Sequence, residues 1–317
     1  MLRGRLSQRL QARNDTEVIL LAFFDADVEV HSLNDAVVHG WSLPPVPLIG
    51  LTLALVVYWR GWLKAHKTRP EELPLWRAGT FTAGCLSLWM ALASPIDALD
   101  DVMLTAHMTQ HFILMSVAPP LIVLGAPAVP VLRGAPRWLI RGVVGPLLRV
   151  RWLHALWRGV THPAIVWLAM NVAYIGWHLP AMFELTFTSE RIHDFEHLCF
   201  FWTSMAFWWV VLAPWPMQSR WPRWTIIPYL LTTDLLNTAL SATLVFAGKV
   251  LYPSYAAAER VTDMTALQDQ IAAGGGMWVF NSLVMLVPAM GMTWYLLRPK
   301  QPVQRSTRTV SGVAGLH

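Results

Sequence analysis

Residues 101–125 read DVMLTAHMTQHFILMSVAPPLIVLG. As a helix, such a run rises about 37 Å at 1.5 Å per residue, enough to cross a hydrocarbon core of about 30 Å. Inside it, His107 and His111 are spaced i, i+4 and stack on one helix face. Polar side chains at that depth are costly and tend to mark function. The pair therefore needs partners from other parts of the chain.

The rest of the sequence agrees that this is a membrane chain. Of 317 residues, 55% are hydrophobic and only 14% are charged, against about 25% charged in an ordinary soluble domain. The 18 tryptophans cluster near the ends of apolar runs, as in an aromatic belt. The net charge of +5 comes from loop arginines, so a nucleic-acid partner is not expected. Cys85 and Cys199 both lie in apolar runs and form no CxxC pair, which argues against thiol chemistry and a disulfide framework.

Apolar runs of spanning length lie near 46–63, 76–94, 102–124, 160–179, 194–214, 226–247 and 272–297. The fold expected is all-α, a polytopic bundle of seven transmembrane helices over residues 46–297. The segment 125–159 mixes Arg with Trp and Leu and reads as one or two helices lying in the interface. Residues 1–45 form an extension without an assigned role, and 298–317 read as a disordered cytoplasmic tail. In the extension, Arg3, Arg5, Arg9 and Arg13 precede VILLAFF (18–24), a run too short to span and lacking a small-residue cleavage site.

Lysines and arginines concentrate in alternate connections. The segments 60–77 and 125–159, the pair Arg220 and Arg223, and the tail are basic, whereas 95–101 carries no Lys or Arg. The positive-inside rule then puts the N-terminus outside and the C-terminus inside. In that arrangement His107 and His111 on the third run, His178 at the end of the fourth, and His193 and His197 at the start of the fifth share the outer leaflet.

One transmembrane histidine alone reads as a packing residue. Five at one depth on three helices read as a metal or cofactor site. Met103 and Met115 continue the His107–His111 stripe at i−4 and i+4, and imidazole with thioether suits copper. Each methionine taken singly reads as core filler. Asp97, Asp100, Asp101, Glu184 and Glu196 are candidates to orient the imidazoles as acceptors, or are solvated loop charges. Neither HMTQH nor HDFEH is HExxH, so a zincin-type base is missing, and no GxSxG or phosphate-binding loop is present. Gly274, Gly275 and Gly276 suggest close helix approach. Asp234 and Asn237 are intramembrane polar groups, suited either to helix–helix hydrogen bonds or to a proton relay.

With those residues in view, the chain resembles the seven-helix CtaG-type cytochrome c oxidase assembly factors. The resemblance rests on HMTQH (107–111), GAP (125–127), WHLP (177–180), HDFEH (193–197), FWW (207–209), LYPSYA (251–256) and DQIAAGGGMW (269–278). These occur in family order over roughly residues 45–297. The resemblance implies a bacterial inner-membrane protein, not an enzyme, that helps mature the copper-containing core of a terminal oxidase. Carried over by position, the motif residues are His107, His111, His178, His193 and His197, with Asp269, Gln270, Met277 and Trp278 at the start of the seventh helix. Copper, in either oxidation state, is the ligand implied; oxidase subunits, periplasmic copper donors and membrane lipids are the partners. Two rival readings remain open: bis-histidine haem ligation, and copper transport using Asp234 and Asn237 as lower way-stations.

Overall fold

The computed structural model describes residues 33–42, 44–147, 149–216 and 221–298. Most of the N-terminal extension, with the basic stretch, VILLAFF and His31, lies outside the described residues. So does the tail beyond Arg298.

Every regular element among the described residues is helical. The principal ones are α1 (Pro45–His66), α2 (Leu75–Ala93), α3 (Leu104–Leu124), α4 (Pro163–His178), α5 (Glu190–Leu212), α6 (Ile226–Phe246) and α7 (Ala266–Leu297). Among the described residues, five helices are long and apolar enough to cross a membrane: α1, α2 with the following turn to Ala98, α3, α5 and α7. The count of seven expected from the sequence is therefore met only in part.

The expected fourth span falls short because α4 has 16 residues and stops at Leu179. Pro180 has no N–H to continue the ladder; it starts a second helix, Pro180–Thr186, bent 78° from the first. Counted as one broken span, the pair raises the total to six. The sixth expected span, α6, has 21 residues, but Thr232, Thr233, Asp234 and Asn237 dilute its apolar character.

α3 runs through the middle of the molecule, and its two faces bound two apolar cores. One core joins it to α1 and α2, around Tyr58, Phe81, Leu114 and Ile122. Tyr58 stacks on Phe81 with ring centroids 3.8 Å apart, and its hydroxyl donates to the Gly125 carbonyl at 2.8 Å. The other core joins α3 to α4–α7 around Phe183, Phe200, Phe207 and Trp208. The outward side chains of α1, such as Ile49, Leu53 and Val56, are exposed and apolar, as a lipid-facing surface requires.

α3 is not uniform. Its α-helical ladder runs to Phe112, loosens into a π turn over Ile113–Val117, and resumes at Ala118–Leu124. Pro119 and Pro120 are the cause, since neither can donate an i→i−4 bond. The Met115 carbonyl, facing Pro119, accepts instead from the Trp208 indole at 3.1 Å.

The segment 125–159 forms Ala128–Gly134, then Arg137–Leu139 leading through a π turn to Gly145–Leu147, and Arg151–Val160. The first packs against α1 at a backbone crossing. A Cβ on Gly61 would collide with the Pro130 carbonyl, and one on Gly134 with the Val57 carbonyl. Of the triplet in α7, only Gly274 marks a close approach, where a Cβ would come within 2.8 Å of Leu244 Cβ; Gly275 faces open space.

Candidate metal centre

The sites on α3 and α5 begin as two i, i+4 pairs. α3 presents His107 and His111 one turn apart, and α5 presents His193 and His197, with Glu196 between them in sequence. The helices pack so that the pairs interlock. Ring centroids of His107 and His193 lie 5.1 Å apart, nearly parallel, and those of His111 and His197 lie 5.4 Å apart, nearly perpendicular. Phe183 and Phe200 wall the group, at 5.0 Å from His107 and 4.6 Å from His111.

The ligand-bearing atoms of His107, His111, His193 and Glu196 all lie within 4.8 Å of one another. Glu196 Oε2 is 3.9 Å from His107 Nε2 and 3.8 Å from His111 Nε2. Those separations are too long for hydrogen bonds and suit groups sharing one central ion. His107, His111 and Glu196 are buried, at 2%, 3% and 0% exposure.

Eight side-chain atoms here have no hydrogen-bond partner: Nε2 of His107, His178, His193 and His197, both ring nitrogens of His111, and both oxygens of Glu196. Buried polar atoms without partners are rare and call for water or an ion. His178 comes from the end of α4 and sits 5.9 Å from His111 by ring centroid. Its Nδ1 meets the Tyr174 carbonyl at 2.7 Å, which leaves Nε2 as the free lone pair. His178 and His197 thus flank the four-residue group.

The remaining sequence-selected residues fall into support roles or outside the centre. Asp269 accepts from the Leu104 N–H at 2.8 Å and the Thr105 N–H at 3.1 Å. It caps α3 from another helix, in place of Met103, whose side chain makes no cap. Gln270 ties the connection before α7, accepting from Leu251 N–H and donating to the Leu244 and Lys249 carbonyls. Thr265 and Gln268 form a capping box at the start of α7.

Asp97 serves no imidazole; it accepts from Gln110 Nε2 at 2.7 Å, and Gln110 also donates to the Ala91 carbonyl. Glu184 accepts from the backbone and hydroxyl of Ser254. Glu196, expected as an acceptor behind the histidines or a solvated charge, stands among them. Trp278 packs edge-on near Phe246, away from the cluster. Met115 and Met277 are buried and line a cavity next to His111, whereas Met103 does not line it.

At the mouth, His193 Nε2 faces Asp100 Oδ2 at 3.8 Å, and its side chain is 21% exposed. Burial pushes the Asp100 carboxyl well above the usual carboxylate range, and the neighbouring Asp101 and Asp97 charges push the same way. Burial raises Asp101 as well.

Two tyrosines went unselected in the sequence. The Tyr252 hydroxyl donates to the His178 carbonyl at 2.9 Å, and that of Tyr255 to the Asp100 carbonyl at 2.5 Å. Both belong to LYPSYA, whose paired tyrosines were the available signal.

Asn237 Oδ1 accepts from Tyr174 at 2.7 Å and from Asn281 at 3.3 Å, joining α4, α6 and α7. Asp234 accepts from Ser282 at 2.7 Å. Both therefore make the helix–helix hydrogen bonds that were one of the two expected uses.

An uncharacterised protein of Mycobacterium bovis is 22% identical over 284 residues, covering 80% of this chain and 42% of its own length. One of Mycobacterium leprae is 25% identical over 215 residues, covering 62% of this chain and 31% of its own. The chain thus spans less than half the length of these relatives. No solved structure matches it. The model of the cytochrome c oxidase caa3 assembly factors matches residues 56–299, taking in both histidine pairs and all of α7. This chain belongs to the cytochrome c oxidase caa3 assembly factor family.

Proposed function

We propose that the chain carries a copper ion at His107, His111, His193 and Glu196, with His178 and His197 beside them, and passes it to a maturing oxidase subunit. The observation that carries this reading is the set of eight unpartnered donor atoms from α3, α4 and α5. Three imidazoles and a carboxylate suit several first-row ions. Copper is chosen because the oxidase core is the family's client and thioethers lie next to the cluster. The ion is cargo, so no catalytic residue is assigned.

In this proposal the centre sits in the outer leaflet of a bacterial inner membrane, N-terminus outside and C-terminus inside, as the loop charges suggest. The spanning unit is 46–297, and copper donors outside the membrane supply the ion. His193, the most open of the four ligands, is the point of entry and exit. A rival haem reading meets a steric objection. The cavity bordering His111 and His178 measures about 20 Å³, against roughly 300–1,000 Å³ for a cofactor pocket. A transport path through Asp234 meets another, since Ser282 holds that carboxylate and it does not line the cavity.

The test is elemental analysis and an absorption spectrum of the detergent-purified protein, beside His107→Ala/His111→Ala. Oxidase maturation is assayed in cells carrying each form. Stoichiometric copper that is lost in the double variant together with maturation is the expected result. Full copper occupancy and normal maturation in the double variant would overturn the proposal, and a Soret band would put haem in its place.

A further inference from the structure

Beneath the cluster, α3, α4, α6 and α7 line the cavity of about 20 Å³. A void of that size admits a single water or a single ion. Five methionines line it: Met108, Met115, Met170, Met277 and Met285. They come from α3, α4 and α7, and each is at most 5% exposed. Methionine in an apolar helix is ordinarily filler, and any one of these would pass as such.

Two further observations set the group apart. His111 and His178, both 3% exposed, line the same cavity, and each has an imidazole nitrogen with no partner. Asn237, 4% exposed, lines it too and leaves its Nδ2 unpartnered. The site therefore lines one small cavity with thioether side chains and two imidazoles that each hold an unpartnered nitrogen.

Among the described residues no carboxylate lines this cavity, whereas the cluster above it includes Glu196. The cost of burying an ion rises steeply with its charge, so a neutral donor set favours a monovalent cation. Thioether donors favour a soft one. We infer that the methionine-lined cavity is a second metal site, for a soft monovalent ion such as Cu(I), adjoining the imidazole–carboxylate cluster through His111. His111 Nε2 faces Glu196, while its ring also lines the lower cavity. The inference goes beyond the copper-delivery reading and stands without it, because the lower donors do not require the upper ones.

The experiment titrates the purified full-length protein with Ag(I), a redox-inert monovalent probe, against a competing chelator, and records X-ray absorption of the bound silver. Divalent copper is titrated in parallel. In the wild type, sulfur scatterers around silver are expected. Met115→Leu/Met277→Leu/Met285→Leu, which keeps side-chain volume, is expected to weaken Ag(I) binding at least tenfold and to leave Cu(II) binding in place. His193→Ala/Glu196→Gln is expected to do the reverse.

Silver bound in the wild type through nitrogen and oxygen alone would overturn the inference without recourse to any variant. So would unchanged Ag(I) affinity in the leucine variant. Wild-type protein that binds Ag(I) through sulfur but no Cu(II) would rule out divalent copper at the upper cluster and leave the lower site standing.

Discussion

The indole of Trp208 on α5 donates to the carbonyl of Met115 on α3 at 3.1 Å, replacing the backbone N–H that Pro119 lacks. The bond is buried and fixes α5 against α3 one turn below His111. Trp208→Phe leaves that carbonyl unsatisfied and is expected to destabilise the fold by about 1–3 kcal/mol. Pro119→Ala supplies an N–H at the vacant position. In its background the Trp208→Phe penalty should shrink, and a double-mutant cycle of unfolding in detergent measures the difference. Equal penalties in both backgrounds would show that Trp208 acts only by packing.

Glu196 brings the only carboxylate to the four-residue group. Glu196→Gln keeps the shape and removes the charge. Its metal affinity should fall by roughly tenfold or more, with thermal stability of the metal-free protein unchanged or improved, since an unpaired buried carboxylate is itself costly. Competition with a chelator of known affinity reads the first effect, and unfolding of metal-free protein the second.

Asp269 holds the start of α3 through two backbone N–H groups and the Thr105 hydroxyl. Asp269→Ala removes the cap and should cost about 2 kcal/mol of stability. It should also loosen His107, one turn on, and so weaken metal binding. Asp269→Asn keeps one acceptor and should fall between Ala and wild type. Unfolding midpoints and metal titrations of the three forms check the order.

At the crossing of Gly61 and Gly134 there is no room for a side chain. Gly61→Leu should separate α1 from Ala128–Gly134, costing about 1–3 kcal/mol and raising proteolytic cleavage within 125–160. Gly275→Leu, at a position facing open space, is the matched control and should leave both measures near wild type.

The helical class and the five histidines were legible because hydropathy and i, i+4 spacing are local properties of a chain. The broken span at Leu179 was hidden by its composition: 160–179 is apolar enough, and only Pro180 signals the bend. The place of Glu196 among the histidines was hidden for a similar reason. An acid between two histidines reads as an outer acceptor until the packing of α5 on α3 turns it inward. The cap by Asp269 and the five-methionine cavity depend on which helices become neighbours. Met108, Met170 and Met285 sit in unrelated stretches of sequence and look like filler there.

The cap on α3 comes from a residue 164 positions later in the chain. At about 5–20 residues per second of synthesis, roughly 10–30 s pass between the emergence of Thr105 and that of Asp269. For the last 72 residues of that interval, from His197 to Asp269, both histidine pairs have been made, yet the helix carrying His107 has no anchor for its first turn. The start of α3 is thus completed only once α7 has been made, and under the proposed copper reading a ribosome-bound chain ending before α7 should not retain metal.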